Sequence, residues 1–287
     1  MSTQLTNQNA HITFIGGGNM GRALISGLLA NGFEANQLSV VETNTSTGLQ
    51  LQQDFGVQII GTLDQITFDS SKNNVVVLAI KPQDFNVAAK SLSAKLRHAT
   101  APGPLILSIA AGIRIKDMSR WLDHKRCVRA MPNTPALIGK GITGLFADDS
   151  INPADRALAE TICNAVGQAV WVNEEKLMDV VTAVSGSGPA YVFAFLEAMQ
   201  SSAEKLGLDS PTARKLAYAT LEGATQLAHN STEHAGILRE RVTSKGGTTA
   251  AALEILKQLD WHGALEKAIE AASQRGKAMG DELGKTQ

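Results

Sequence analysis

Ile12 to Leu29 reads ITFIGGGNMGRALISGLL. A short apolar run passes straight into three glycines, and a stretch with apolar residues at helical spacing follows. Strand, glycine turn and helix in that order open a βαβ unit. Gly16, Gly18 and Gly21 stand in it with the spacing G-x-G-x-x-G. The first glycine permits the tight turn, the second lets a pyrophosphate approach the backbone, and the third lets helix and strand pack closely. Asn19 and Met20 open the helix, whose unpaired N–H groups suit a phosphate. Three spaced glycines alone often mark nothing more than a turn. The strand before them, the helix after and the alternation beyond make a dinucleotide site the better reading.

That alternation runs from His11 to about Val172. β-rich runs (HITFIGG, LSVVE, NNVVVLAI, PLILSIAAG, RCVRAMPN and QAVWV) are separated by helical stretches such as Met20 to Ala30 and Pro153 to Val166, the latter with Asn152 as N-cap. The expected fold is α/β, a doubly wound, mostly parallel sheet of Rossmann type with helices on both faces. After Val172 the strand runs stop. Helical patterns cover Glu174 to Ala183, Pro189 to Leu206, Pro211 to Ala228, the stretch after Gly247, and Trp261 to Met279, with a glycine–serine hinge at Ser185 to Gly188. This change in grammar divides the chain into a dinucleotide-binding domain over residues 11–172 and an all-α domain over residues 173–287.

Ligands of open α/β sheets lie beyond the carboxyl ends of the strands. Candidate cofactor residues are therefore Ala79, Lys81 and Pro82 after one strand, Ala110, Ala111 and Gly112 after the next, and Asn133 after a third. Close helix packing explains the small residues of the first two stretches equally well, and Lys81 reads equally as a solvated surface lysine. Glu42 ends the second strand, twenty-one residues after Gly21, where an acid takes the ribose hydroxyls of NAD. The hydroxyl-rich Thr43 to Thr47 beside it could hold the 2′-phosphate of NADP, or could simply cap a helix. NADP(H) and NAD(H) both stay open.

Composition narrows the remaining classes. With 26 basic and 27 acidic residues the net charge is −1, which argues against binding driven by nucleic-acid phosphates. Aromatics at 5% offer no base-stacking platform. Cys127 and Cys163 each lie in an apolar stretch and read as inert buried thiols. The six histidines show no metal-ligand grouping. The polar start MSTQLTNQNA has no signal-peptide core, and no run of ~18 continuous apolar residues is present. A soluble cytoplasmic protein without membrane or nucleic-acid partners is expected.

A second motif closes the chain. VTSKGGTTAAALEIL, Val242 to Leu256, sets glycines among hydroxyl and cationic side chains just before an alanine-rich helix; such a start suits an anion. Taken with GGGNMG, AIKPQ, RAMPNTP and VTAVSGSGPAYVF, it closely resembles pyrroline-5-carboxylate reductase over essentially the whole chain. The resemblance implies reduction of 1-pyrroline-5-carboxylate to L-proline by hydride transfer from NAD(P)H, the last step of proline synthesis. It also implies that the helical domain interlocks with a second copy in a homodimer, with a decamer of five dimers as a larger form, and that the active site lies between one chain's Rossmann domain and its partner's helices. Carried onto this sequence, Ser244, Gly247, Thr248 and Thr249 hold the substrate, Glu175 lies near it, and Thr249 faces the ring nitrogen as the catalytic hydroxyl. A protonated cyclic imine is already a good hydride acceptor. Thr249 then either gives a proton or only orients the ring, and both readings stay open.

Two residues depart from common family usage. Lys245 stands where many members have proline, and Glu42 where NADPH-preferring members often carry a small or polar residue. Two rival readings are a β-hydroxyacid dehydrogenase and a non-catalytic dinucleotide sensor. The first needs a catalytic lysine early in the helical domain, and SGSGPAYVFAFLEAM has none.

Overall fold

The computed structural model describes residues 9–285. Its first part alternates β1 (Ala10–Ile15), α1 (Asn19–Ala30), β2 (Leu38–Val41), α2 (Thr45–Phe55), β3 (Gln58–Ile60), β4 (Asn73–Leu78), α3 (Phe85–Leu96), β5 (Leu105–Ser108), α4 (Ile115–Leu122), β6 (Cys127–Met131), β7 (Gly141–Phe146), α5 (Pro153–Asn164) and β8 (Gly167–Trp171). These strands form one sheet in the order β3-β2-β1-β4-β5-β6-β7-β8. Neighbours from β3 through β6 are parallel; β7 runs antiparallel to β6, and β8 parallel to β7. The chain leaves β1 toward β2 on one side and returns beside it as β4. The crevice between the two outward connections is the topological switch point.

Period-two alternation sorts the strand residues onto two faces. Val75 and Val77 join Ile12, Phe14, Leu24, Leu28 and Ile162 in one core, so α1 and α5 cover that face. Val76 and Leu78 join Ile15, Phe85, Leu92, Met118 and Leu122 in the other, under α3 and α4. Cys163 lies in the first core and Cys127 in the second. Burial lifts both thiols to about 12, so both are inert at neutral pH.

β3 and β7 are not announced by the sequence pattern. β3 is a three-residue edge strand. β7 reads GITGLF, and its glycines blunt the strand signal for a steric reason. A Cβ on Gly144 would fall 2.5 Å from Val181, and one on Gly141 would fall 2.9 Å from Ala136. Removing Cβ lets a helix press on the sheet.

Beyond the sheet come α6 (Leu177–Val181), a π-helical turn (Thr182–Gly186), α7 (Gly188–Lys205), α8 (Ser210–His229), α9 (Ala235–Arg241), α10 (Thr248–Gln258) and α11 (Trp261–Gly284). Here the expected hinge is corrected. Ser185 and Gly186 widen one turn into a π-bulge, in which the Ser187 N–H reaches the Thr182 carbonyl at 2.8 Å, instead of breaking the helix. The short α9 falls between the helical patterns read from the sequence, in a stretch to which none was assigned. Leu177–Lys205 is one helical run of 29 residues, long and apolar enough by composition (mean hydropathy 1.2) to cross a membrane.

Contacts divide the chain into two compact units. The first runs to Ser187 and takes in the segment from Ala272; the second is Gly188–Ala271. Few side chains are buried in the second: Leu196, Ala213 and Ala217 are, whereas Phe193, Leu216, Leu227, Ile255 and Leu259 are exposed.

Candidate active site

In the first unit the glycine loop has the shape of a phosphate cradle. Gly16 takes φ +96, and a Cβ on it would lie 2.6 Å from the Ala79 carbonyl oxygen. A Cβ on Gly21 would lie 2.7 Å from the Gly16 carbonyl oxygen. Those two glycines serve the turn and the helix–strand contact. Gly18 differs: a Cβ there would meet nothing within 4 Å. It is also the N-cap of α1, whose first turn has neither a side-chain cap nor an acidic residue. Asn19 and Met20 follow it on that turn. The open space over an uncapped helix N-terminus is where a pyrophosphate fits, so the cradle suits a dinucleotide.

The remaining cofactor candidates line the carboxyl ends of the neighbouring strands. Glu42 follows β2. Its carboxylate accepts the Gly17 N–H at 2.9 Å and the Asn44 N–H at 2.8 Å. Ala79 follows β4 and extends its ladder through the Ile15 carbonyl at 2.9 Å. Lys81 is exposed and precedes the short 3-10 turn Pro82–Asp84. Ala110, Ala111 and Gly112 follow β5; the buried Ser108 hydroxyl accepts the Ala110 N–H at 3.3 Å, and Gly112 turns at φ +76. Asn133 follows β6. Its amide donates to the Ser185 carbonyl at 3.1 Å and accepts the Ile142 N–H at 3.0 Å. Both ends of that side chain are thus engaged in joining β6, β7 and the π turn.

Glu175 belongs to the first unit as well. Its carboxylate accepts the Ile115 N–H at 2.7 Å, at the start of α4, and faces Arg129 at 3.4 Å. Arg129 is 3% exposed and also faces Asp179 at 3.6 Å. The sequence reading passed over this arginine. Its signal was there: a cation inside the apolar strand CVRAM has to find acidic partners. The trio borders a polar cavity of about 450 Å³ that Arg114, Lys277 and Asp281 also line.

Ser244, Gly247, Thr248 and Thr249 lie together in the second unit. Gly246 turns at φ +74, and a Cβ on Gly247 would fall 2.4 Å from the Ser244 Oγ. Gly247 is the N-cap of α10, again without a side-chain cap. The structure therefore gathers the four residues on one tight turn under an open helix N-terminus, an arrangement suited to a small carboxylate.

Known proteins resemble this chain along most of its length. The family profile for pyrroline-5-carboxylate reductase dimerisation matches residues 175–279, and that for NADP oxidoreductase, coenzyme F420-dependent, matches residues 11–112. A pyrroline-5-carboxylate reductase of Pseudomonas aeruginosa is 40% identical over 274 residues, covering 95% of this chain and 98% of the relative. The chain belongs to the pyrroline-5-carboxylate reductase family. Among solved structures of that family, the Coxiella burnetii reductase superposes with a TM-score of 0.87 at 37% identity, covering 94% of this chain and 98% of the other. A Plasmodium falciparum pyrroline carboxylate reductase with NADP bound superposes at 0.79 and 27% identity, covering 95% and 98%. As a member of this family, the protein is an NAD(P)H-dependent oxidoreductase, and its dimerisation domain makes it a homo-oligomer.

Proposed function

We infer that this protein reduces 1-pyrroline-5-carboxylate to L-proline, the final step of proline biosynthesis, with NAD(P)H supplying the hydride. The observation that carries the reading is the conjunction, in one chain, of the open Gly18 cradle and the Ser244–Thr249 turn on an uncapped helix start.

In this reading Gly16, Gly18, Asn19, Met20 and Gly21 receive the pyrophosphate, and Glu42 the adenine-side ribose. Ala79, Lys81, Pro82, Ala110, Ala111, Gly112 and Asn133 border the rest of the dinucleotide, Asn133 through its backbone since its amide is engaged. The N–H groups at the start of α10 take the substrate carboxylate, with Ser244 and Gly247 shaping the turn. Thr249 offers its hydroxyl to the ring nitrogen, where positive charge is neutralised as the C=N carbon is reduced. Orientation and one polar contact suffice for so electrophilic an imine; no strong base enters. Glu175 acts near the site by holding the N-terminus of α4 and the buried Arg129.

The functional division falls at Val172, with the dinucleotide domain over residues 11–172 and the substrate and dimerisation domain over residues 173–287. The exposed apolar faces of the helical unit, including the Leu177–Lys205 run, pair with a second copy. Homodimers of this kind are the unit from which a decamer of five would be built, and the site of action is the cytoplasm.

The test is turnover of 1-pyrroline-5-carboxylate by the purified full-length protein with NADPH and NADH side by side, with proline identified chromatographically. Nucleotide oxidation in step with proline formation is expected. Nucleotide binding without turnover would overturn the reading in favour of another imine substrate or a sensor.

A further inference from the structure

We propose that Glu42 makes this enzyme prefer NADH to NADPH, because its carboxylate is locked where the adenine-side ribose meets the second strand. The proposal rests on the dinucleotide reading of the cradle.

Three features combine. The first is that the carboxylate cannot swing away. One oxygen holds the N–H of Gly17, inside the glycine loop, and the other holds the N–H of Asn44, at the start of the β2–α2 connection. Hydrogen bonds from N–H groups to an ionised acceptor are among the stronger kind, and two of them fix both the position and the rotamer. The carboxylate thus bridges the pyrophosphate loop and the ribose side of the crevice. Each oxygen keeps lone-pair capacity for a further donor. A ribose with free 2′- and 3′-hydroxyls supplies such donors.

The second feature is charge. A 2′-phosphate has acceptor oxygens and a charge of about −1.5 to −2 at pH 7. Placed beside a fixed carboxylate it meets repulsion where the hydroxyl finds a hydrogen bond. No lysine or arginine stands between Thr43 and Asp54 to offset it. Arg22, on α1, is engaged by Asp54 and lies over the Phe55 ring at 5.2 Å.

The third feature concerns the hydroxyl-rich segment that could have served the phosphate. It caps a helix instead. The Asn44 Oδ1 accepts the Thr47 N–H at 3.0 Å and the Ser46 hydroxyl at 2.6 Å, closing the N-terminus of α2. The Ser46 hydroxyl and the Thr47 N–H, two donors that a 2′-phosphate could have used, are thereby engaged within the chain.

Dissociation constants for NADH and NADPH, measured by nucleotide fluorescence on the full-length protein without substrate, test the proposal. NADH should bind at least about tenfold tighter than NADPH. In Glu42→Gln, which keeps the side-chain length but removes the charge, the ratio should shrink to about threefold or less, chiefly through tighter NADPH binding. Equal or tighter binding of NADPH by the unaltered protein overturns the proposal, even if Glu42→Gln fails to fold. So does an unchanged ratio in a Glu42→Gln protein whose melting temperature matches the parent. Failure of both nucleotides to bind the unaltered protein would instead remove the dinucleotide reading on which the proposal stands.

Discussion

Gly16 and Gly18 are two residues apart, and their substitution should have opposite consequences. Alanine at Gly18 adds a methyl group into space that the protein leaves open, so Gly18→Ala should keep its melting temperature within about 2 °C while losing about tenfold or more in dinucleotide affinity. Alanine at Gly16 must accept a positive φ and a carbonyl oxygen at 2.6 Å. That variant should lose about 2–3 kcal/mol of stability. Calorimetry and nucleotide titration of both proteins separate the two effects; a Gly18→Ala protein that binds normally would remove the cradle assignment. Thr249→Val preserves shape and deletes the hydroxyl. A fall of about tenfold or more in kcat/KM is expected with nucleotide affinity retained, and a loss below about threefold would show the hydroxyl to be dispensable. Two histidines set a pH dependence of stability. Burial lowers the pKa of His11, despite Asp69 nearby, and burial likewise lowers that of His124, whose Nε2 lies 2.8 Å from the Pro104 carbonyl oxygen. The folded chain then binds fewer protons than the unfolded one in the window from the ordinary value, 6.5, down to the lowered ones. Stability is full above that window and falls as the pH drops through it. Thermal melts between pH 7.5 and 5 (about the range in which histidine titrates) should show the decline, and His124→Gln should flatten it.

Among the elements, β6 and α6 are joined through charge. Arg129 on β6 is enclosed, and its counter-charges Glu175 and Asp179 come from the segment after β8. Removing the cation alone strands two partly buried carboxylates, so Arg129→Ala should cost about 3 kcal/mol or more. Adding Glu175→Gln and Asp179→Asn to it should recover part of that loss, because the unpaired charges disappear. Urea midpoints at one protein concentration measure both; no recovery in the triple variant would mean that Arg129 acts by packing alone. The same elements show what a sequence pattern can convey. β1, β2, β4 and α1 were legible because near-continuous β-branched runs and a helical apolar stripe are local signals. β7 was not, since Gly141 and Gly144 are there for close contacts with Ala136 and Val181, partners that no local window contains. The glycine–serine stretch at 185–188 was legible as a special point but not as a π turn, whose form depends on its neighbours. A Cβ on Gly186 would lie 2.7 Å from Met131, and the Ser185 carbonyl meets Asn133.

For the molecule as a whole, the contrast between its two units makes an assembly prediction. The sheet unit encloses two cores, whereas the helical unit exposes Phe193, Leu227 and Leu259 at 63, 63 and 72%. Helices of that kind gain their stability by packing an apolar face, and a second copy supplies the packing. Sedimentation at micromolar concentration should therefore find a dimer or a larger assembly. A fully active monomer would contradict the assignment of those faces. The fold class and the family were already written in short, contiguous signals: a strand–glycine–helix start, the alternation up to Val172, and the serine–glycine–threonine turn near the end. Such signals survive without coordinates because strand, turn and helix preferences act over a few residues. Pairings across the chain do not. Glu42 reaches a partner 25 residues away in Gly17, and Arg129 one 46 residues away in Glu175. The two-sided lock on Glu42, the burial of Arg129 and the reversed direction of β7 come from long-range packing, which brings together groups that the order of residues leaves far apart.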